Sequence, residues 1–177
     1  MRWEPHRDHD GKSHSLTHLH PFRFAVELFA QHGRPARTVT IHVGFGLHVF
    51  TCDIANAAPN ASKYGDDREI RAFDLERYQA SRQLEALVRG LATRKCFFAR
   101  NENFFTVEVP GAPEGHEYRV FFRVRRHPVK LDTVELIVQS AYFGRIELRP
   151  RGQRRKPVGF RLIIASALLG KTLKEPP

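Results

Sequence analysis

The 177-residue chain carries 29 Lys and Arg against 19 Asp and Glu, a net charge of +10, with 41% hydrophobic and 27% charged residues. These values exclude a disordered composition, and the length is that of one domain able to bury its own core. Two cysteines (Cys52 and Cys96) make no secreted-type disulfide framework, no apolar leader follows Met1, and no apolar run approaches the roughly 18 residues of a membrane helix, so a cytoplasmic protein without membrane contact is expected.

Residues 1–21 are polar and hold five histidines, His6, His9, His14, His18 and His20; they read as a flexible arm ahead of a single domain at 22–177. His14 and His18 would share a face if helical, but Gly11, Ser13 and the lack of an apolar face argue against a rigid metal site. Neither metal nor cofactor is expected. Phe22, Phe24, Val26 and Leu28 alternate with the period of a half-buried strand. Thr38 to Ile54 reads as two β-rich runs around a hairpin tip at Gly44-Phe45-Gly46, and the stretch to Asp67 as loop.

Asp74 is a candidate N-cap for a helix whose stripe runs Leu75, Tyr78, Leu84, Leu87, Val88, Leu91. Strands are expected over 104–109, 118–124 and 134–142, with His127-Pro128 in a hairpin connection. After an arginine-rich loop, Pro157 opens a helix with Phe160, Ile163, Ile164, Ala167 and Leu168 on one face, closed by Gly170. This order predicts an α+β fold: a mainly antiparallel sheet with an amphipathic helix in the middle and one at the C-terminus.

The positive charge is uneven. Residues 145–177 hold nine Lys and Arg against only Glu147 and Glu175, the footprint expected of phosphate binding. Arg149, Arg151, Arg154, Arg155 and Lys156, together with Arg71, are the candidate nucleic-acid-binding residues, with RNA favoured as partner. An acidic protein partner, such as an antitoxin, or a solvated basic surface are the alternatives.

No Gly-rich phosphate loop followed by Lys, no Gly-x-Ser-x-Gly and no paired CxxC is present. Three weaker sets remain. His48 on a strand, sharing a face with Phe50, suits general acid–base work near neutral pH, or a structural role bonded to backbone. Arg77 and Ser81 lie four apart on the first helix, where Arg71 could join them around a phosphorane; a salt-bridged face with Glu76 and Glu85 is the bland reading. Ser140 and Tyr142 share one face of the last strand, opposite Gln139 and Ala141, and can orient a phosphate or ribose, unless the tyrosine is simply buried.

Three stretches carry a resemblance: Gly46-Leu47-His48-Val49-Phe50-Thr51, the run Arg77 to Leu84, and Tyr118 to Val124 with Val138 to Tyr142. Over residues 22–175 the chain resembles a family of bacterial proteins labelled stationary-phase growth adaptation or heat-shock-protein-C-like. Its last hairpin, ending in Ser-Ala-Tyr, is similar to the final strands of the barnase–EndoU–colicin–RelE ribonucleases. That resemblance implies metal-independent RNA cleavage in which the 2′-hydroxyl attacks the adjacent phosphate. It implies His48 as base or acid, Arg77 on the phosphate, and Ser140 with Tyr142 as positioning groups. The expectation is an RNA-directed protein, a toxin-like or stress-linked ribonuclease; the alternative is a non-catalytic basic nucleic-acid-binding or regulatory module.

Overall fold

The computed structural model describes residues 2–30, 33, 35–99, 104–108, 113–146 and 156–175. Two short strands, β1 (His6–Arg7) and β2 (Ser13–His14), pair with each other before β3 (Phe22–Leu28) and the twelve-residue β4 (Arg37–His48). A small sheet follows, built from β5 (Thr51–Cys52), β6 (Lys63–Gly65) and β7 (Ile70–Phe73) in the order β5-β7-β6. Next come α1 (Leu75–Ser81), α2 (Leu84–Arg89), β8 (Lys95–Phe98), β9 (Phe104–Glu108), β10 (His116–Arg126) and β11 (Thr133–Arg145). The chain closes with β12 (Pro157–Gly159) and α3 (Phe160–Leu168).

The main sheet has seven strands in the order β12-β8-β9-β10-β11-β4-β3. Its pairings are antiparallel except β11 with β4, which is parallel. The fold is therefore α+β and dominated by antiparallel pairing. Among the described residues no helix is long and apolar enough to cross a membrane.

Alternation sorts the sheet into two faces. Val39, Ile41, Val43, Phe45 and Leu47 of β4, Val134, Leu136 and Val138 of β11, and Tyr118, Val120 and Phe122 of β10 are all buried. They form one core with Leu84, Leu87, Val88 and Leu91 and with Phe160, Ile163, Ile164 and Leu168 of α3, which lies against β3, β10 and β11. The opposite face is half-open: His42, His48, Arg119, Phe121, Ser140 and Tyr142 are only partly buried.

A register shift decides which face Ser140 and Tyr142 occupy. The ladder of β10 and β11 passes from Phe122↔Val138 to Phe121↔Ser140, leaving Gln139 as an extra residue. Strict alternation from buried Val138 would have turned Ser140 and Tyr142 inward. The bulge instead buries Ala141 and puts Ser140 and Tyr142 on the open face.

Several expectations are corrected: Pro157 starts strand β12 rather than the last helix, which begins at Phe160, and β6 lies within the stretch read as loop. Gly44-Phe45-Gly46 is no hairpin tip; it lies inside β4. These glycines answer close approach, since a Cβ on Gly44 would sit 3.1 Å from Ile137 Cδ1 and one on Gly46 3.0 Å from the Gln139 carbonyl. His48 and Phe50 do not share a face: β4 ends at His48, the chain turns, and Phe50 is fully buried. The stripe from Leu75 to Leu91 is divided among α1, α2 and a 3-10 turn (Gly90–Thr93) rather than one helix, although Asp74 caps it by accepting from the Arg77 amide at 3.0 Å. Residues 2–21 pack onto the body: Trp3, Leu16 and Leu19 are buried, and the Trp3 indole donates to the Phe45 carbonyl at 3.2 Å.

Candidate active site on the open face of the sheet

His48 closes β4, where its Cα partner across the parallel ladder is Ser140. Its Nε2 lies 2.7 Å from Glu69 Oε1, with the imidazole 41% and the carboxylate 39% exposed. An ionised Glu69 accepts only, so Nε2 carries the ring proton and Nδ1 is left as the basic nitrogen. Among the described residues Nδ1 has no hydrogen-bond partner.

The short strand β7 and the turn before it supply the rest of this corner. Glu69 Oε2 is 3.4 Å from Arg71 Nη1, and Arg71 Nε donates to Thr51 Oγ1 at 3.1 Å. Thr51 is tied in turn to the Leu47 carbonyl at 2.8 Å. Partial burial acts to raise the Glu69 pKa, but the hydrogen bond from His48 and the charges of His48 and Arg71 outweigh it, so the carboxyl titrates below the usual glutamate range.

Arg77 enters from α1. Its Nη1 donates to the His48 carbonyl at 3.2 Å, its Nε is 3.5 Å from Asp74 Oδ2, and its guanidinium carbon lies 5.1 Å from the centre of the Tyr142 ring. Tyr142 stacks on Phe121 at 5.6 Å with 16° between the rings, and its cross-strand partner is Arg119. Arg119 Nε is held by Glu117 Oε1 at 2.7 Å. The result is an imidazole–carboxylate pair beside two guanidiniums, next to Ser140 and the two-ring aromatic ledge on the open sheet face. Such a set can take and return a proton, hold an anion and stack a flat ring.

His48, Arg71, Arg77, Ser140 and Tyr142 thus come together, while Ser81 does not. Ser81 is buried, donates to the Tyr78 carbonyl at 2.7 Å and accepts from His18 Nε2 at 2.7 Å. Lys156 is exposed ahead of β12; Arg149, Arg151, Arg154 and Arg155 lie outside the described residues. The histidines of the N-terminal segment are used one by one: His6 on Ser62, His14 on Asp8, His18 on Ser81, His20 on the Trp3 carbonyl. Cys52 and Cys96 are both buried and unlinked.

Sequence reasoning missed Glu69, Asp74 and the Phe121 half of the ledge as site residues. The available signal for Glu69 was its i, i+2 spacing from Arg71 at the entry to β7; the signal for Phe121 was its place on the same strand face as Arg119.

The YjaZ family model matches residues 6–168, and the chain belongs to the YjaZ family. No curated protein and no solved structure shows a match to it.

Proposed function

We propose that this YjaZ-family chain is an RNA-directed cytoplasmic protein that takes single-stranded RNA on the open face of its sheet and cleaves it without a metal. The observation that carries this reading is the exposed His48–Glu69 pair, with Nδ1 turned to proton chemistry and with Arg71, Arg77, Ser140 and the Tyr142–Phe121 ledge around it. The net charge of +10 favours a polyanionic substrate.

In this reading His48 Nδ1 accepts the proton of the 2′-hydroxyl while the 2′-oxygen attacks phosphorus. The bond to the 5′-oxygen breaks, and the departing oxygen receives that proton back, so the step is proton-neutral and yields a 2′,3′-cyclic phosphate and a 5′-hydroxyl. Glu69 holds the ring and stabilises its charged form. Arg77 and Arg71 offset charge developing on the phosphorane, Ser140 positions the phosphate, and the ledge stacks a neighbouring base.

A second reading, a non-catalytic RNA-binding or regulatory module, is favoured by the engagement of both arginines: Arg71 with Glu69 and Thr51, Arg77 with Asp74 and the His48 carbonyl. Incubation of the pure protein with end-labelled RNA in EDTA separates the two. Discrete fragments with cyclic-phosphate ends, reduced at least ~100-fold in His48→Ala, are expected for the enzyme. Intact RNA that shifts on a gel, equally with both proteins, would establish the binding module instead.

A further inference from the structure

Helix α3 is apolar on two sides. Phe160, Ile163, Ile164 and Leu168 enter the core, while Leu162 and Leu169, with the half-buried Ala165 between them, follow at i, i+3 and i+7 on the outer side. That outer stripe forms one wall of a groove of about 380 Å³, and Leu28, Phe29 and Pro35 form the other. Leu162 is 52%, Leu169 40% and Phe29 59% exposed. A helix with apolar residues on both sides is ordinarily covered on both.

The rim of this groove is cationic. Arg37, Arg161 and Lys171 line it, and among the described residues no Asp or Glu does. Arg37 is met by Asp132 at 2.9 Å, but Arg161 and Lys171 form no ion pair among the described residues. Arg161 Nε and Nη1 donate to the Glu27 and Ala92 carbonyls, which orient the guanidinium without cancelling its charge, and Nη2 has no hydrogen-bond partner among the described residues. The Glu27 side chain does not reach the groove, because it stands in the opposite strand phase from Leu28. These features choose among occupants. A second copy of a chain carrying +10 would bring like charge to the rim. A lipid surface takes apolar side chains that protrude together, whereas these face one another across a groove. A partner helix fits: the stripe from Leu162 to Leu169 spans about 10 Å at ~1.5 Å per residue, room for two apolar residues one turn apart, and Ala165 leaves a notch between the leucines. Carboxylates flanking those residues would meet Arg161 and Lys171.

We propose that this groove docks a short acidic amphipathic helix of a partner protein, its apolar face against α3 and Phe29 and its carboxylates on Arg161 and Lys171. The surface shares no residue with the His48 site and stands independently of the RNA reading.

The probe is a fluorescein-labelled helical peptide of about 16 Leu and Glu residues, with Leu at i, i+3, i+4 and i+7 spacing, followed by anisotropy as the full chain is added; a second peptide carries Lys for every Glu. Saturable one-site binding of the Glu peptide is expected, weakened about tenfold or more by Leu162→Asp and about threefold or more by Lys171→Ala, both at exposed positions. Ile54→Asp changes the charge equally on the 3-10 turn after β5 and should bind as the parent does. Absence of saturation by about 1 mM, equal binding of the Lys peptide, or an equal loss in Ile54→Asp would overturn the site. Two further outcomes would overturn it in favour of another occupant. Self-association in sedimentation velocity that Leu162→Asp abolishes, with no peptide bound, would assign the groove to a second copy. Pelleting with phosphatidylglycerol vesicles that Leu162→Asp abolishes, again with no peptide bound, would assign it to a lipid surface.

Discussion

His48 draws its chemistry from a residue 21 positions away, and Glu69 answers to three partners at once: His48, Arg71 and the turn around Asp66. Because the folded pKa of Glu69 lies below its ordinary value of 4.5, the carboxylate adds stability that is complete above that value and is lost as pH falls through the lower folded one. With the carboxylate 39% exposed, solvent screening limits this to under about 1 kcal/mol. Urea unfolding of wild type and Glu69→Gln between about pH 3 and 6 should show it: the wild-type advantage shrinks with acid and vanishes once Glu69 is protonated. A pH-independent difference would mean that the ionised carboxylate gains nothing from His48 or Arg71. His48, Arg77, Ser140 and Tyr142 could be singled out from residue type and strand phase. Glu69 could not, because its role exists only where β7 is folded against the end of β4.

At the scale of elements, β3 is the edge of the main sheet, and its outward carbonyls are natural sites for pairing with another chain. Two arginines cover them. Arg161 of α3 donates to the Glu27 carbonyl at 3.0 Å and to the Ala92 carbonyl at 3.2 Å, while its guanidinium lies 4.7 Å from the centre of the Phe29 ring. Arg89 reaches the Arg23 carbonyl at 3.5 Å and lies over Phe22 at 4.4 Å. Phe29 is 59% exposed even so. Arg161→Ala uncovers both the edge and the ring, and the expected result is concentration-dependent self-association in sedimentation velocity, with a stability loss of about 1 kcal/mol. A variant that stays monomeric at every concentration would show that the edge needs no guard.

For the molecule as a whole, the N-terminal segment is a structural part of the domain. His6 stacks on Phe73 at 4.2 Å, and His18 meets Tyr78 edge-on at 5.6 Å while bonded to Ser81. Burial first, then His14, lowers the His6 pKa against the opposing charge of Asp8; burial first, then Arg82 and His20, lowers that of His18. Both folded values therefore lie below the ordinary 6.5, so the unfolded chain takes up protons first as pH falls. Stability should decline from pH 6.5 downward until the folded values are reached, and His18→Gln, whose amide can still bond Ser81, should flatten part of that slope. Thermal melts across about pH 5 to 8 measure it, and identical slopes in the two proteins would remove His18 from the account.

Much of the architecture was legible because its signals are local. The phase of β3, β10 and β11, the stripe of α3 and the Asp74 cap depend on residues within a few positions of one another. The apparent arm was misread for the complementary reason. Trp3 finds the Phe45 carbonyl 42 positions away, and His18 finds Ser81 63 positions away, so a polar run with a few apolar residues concealed its partners. The same holds for the parallel pairing of β11 with β4, the extra residue at Gln139 that turns Ser140 and Tyr142 outward, and the meeting of His48 with Glu69. Alternation and helical spacing are properties of a short stretch of chain. Strand neighbours, bulges and sites are set by which distant surfaces fit, and the entropy of bringing them together is recovered only when the whole core closes.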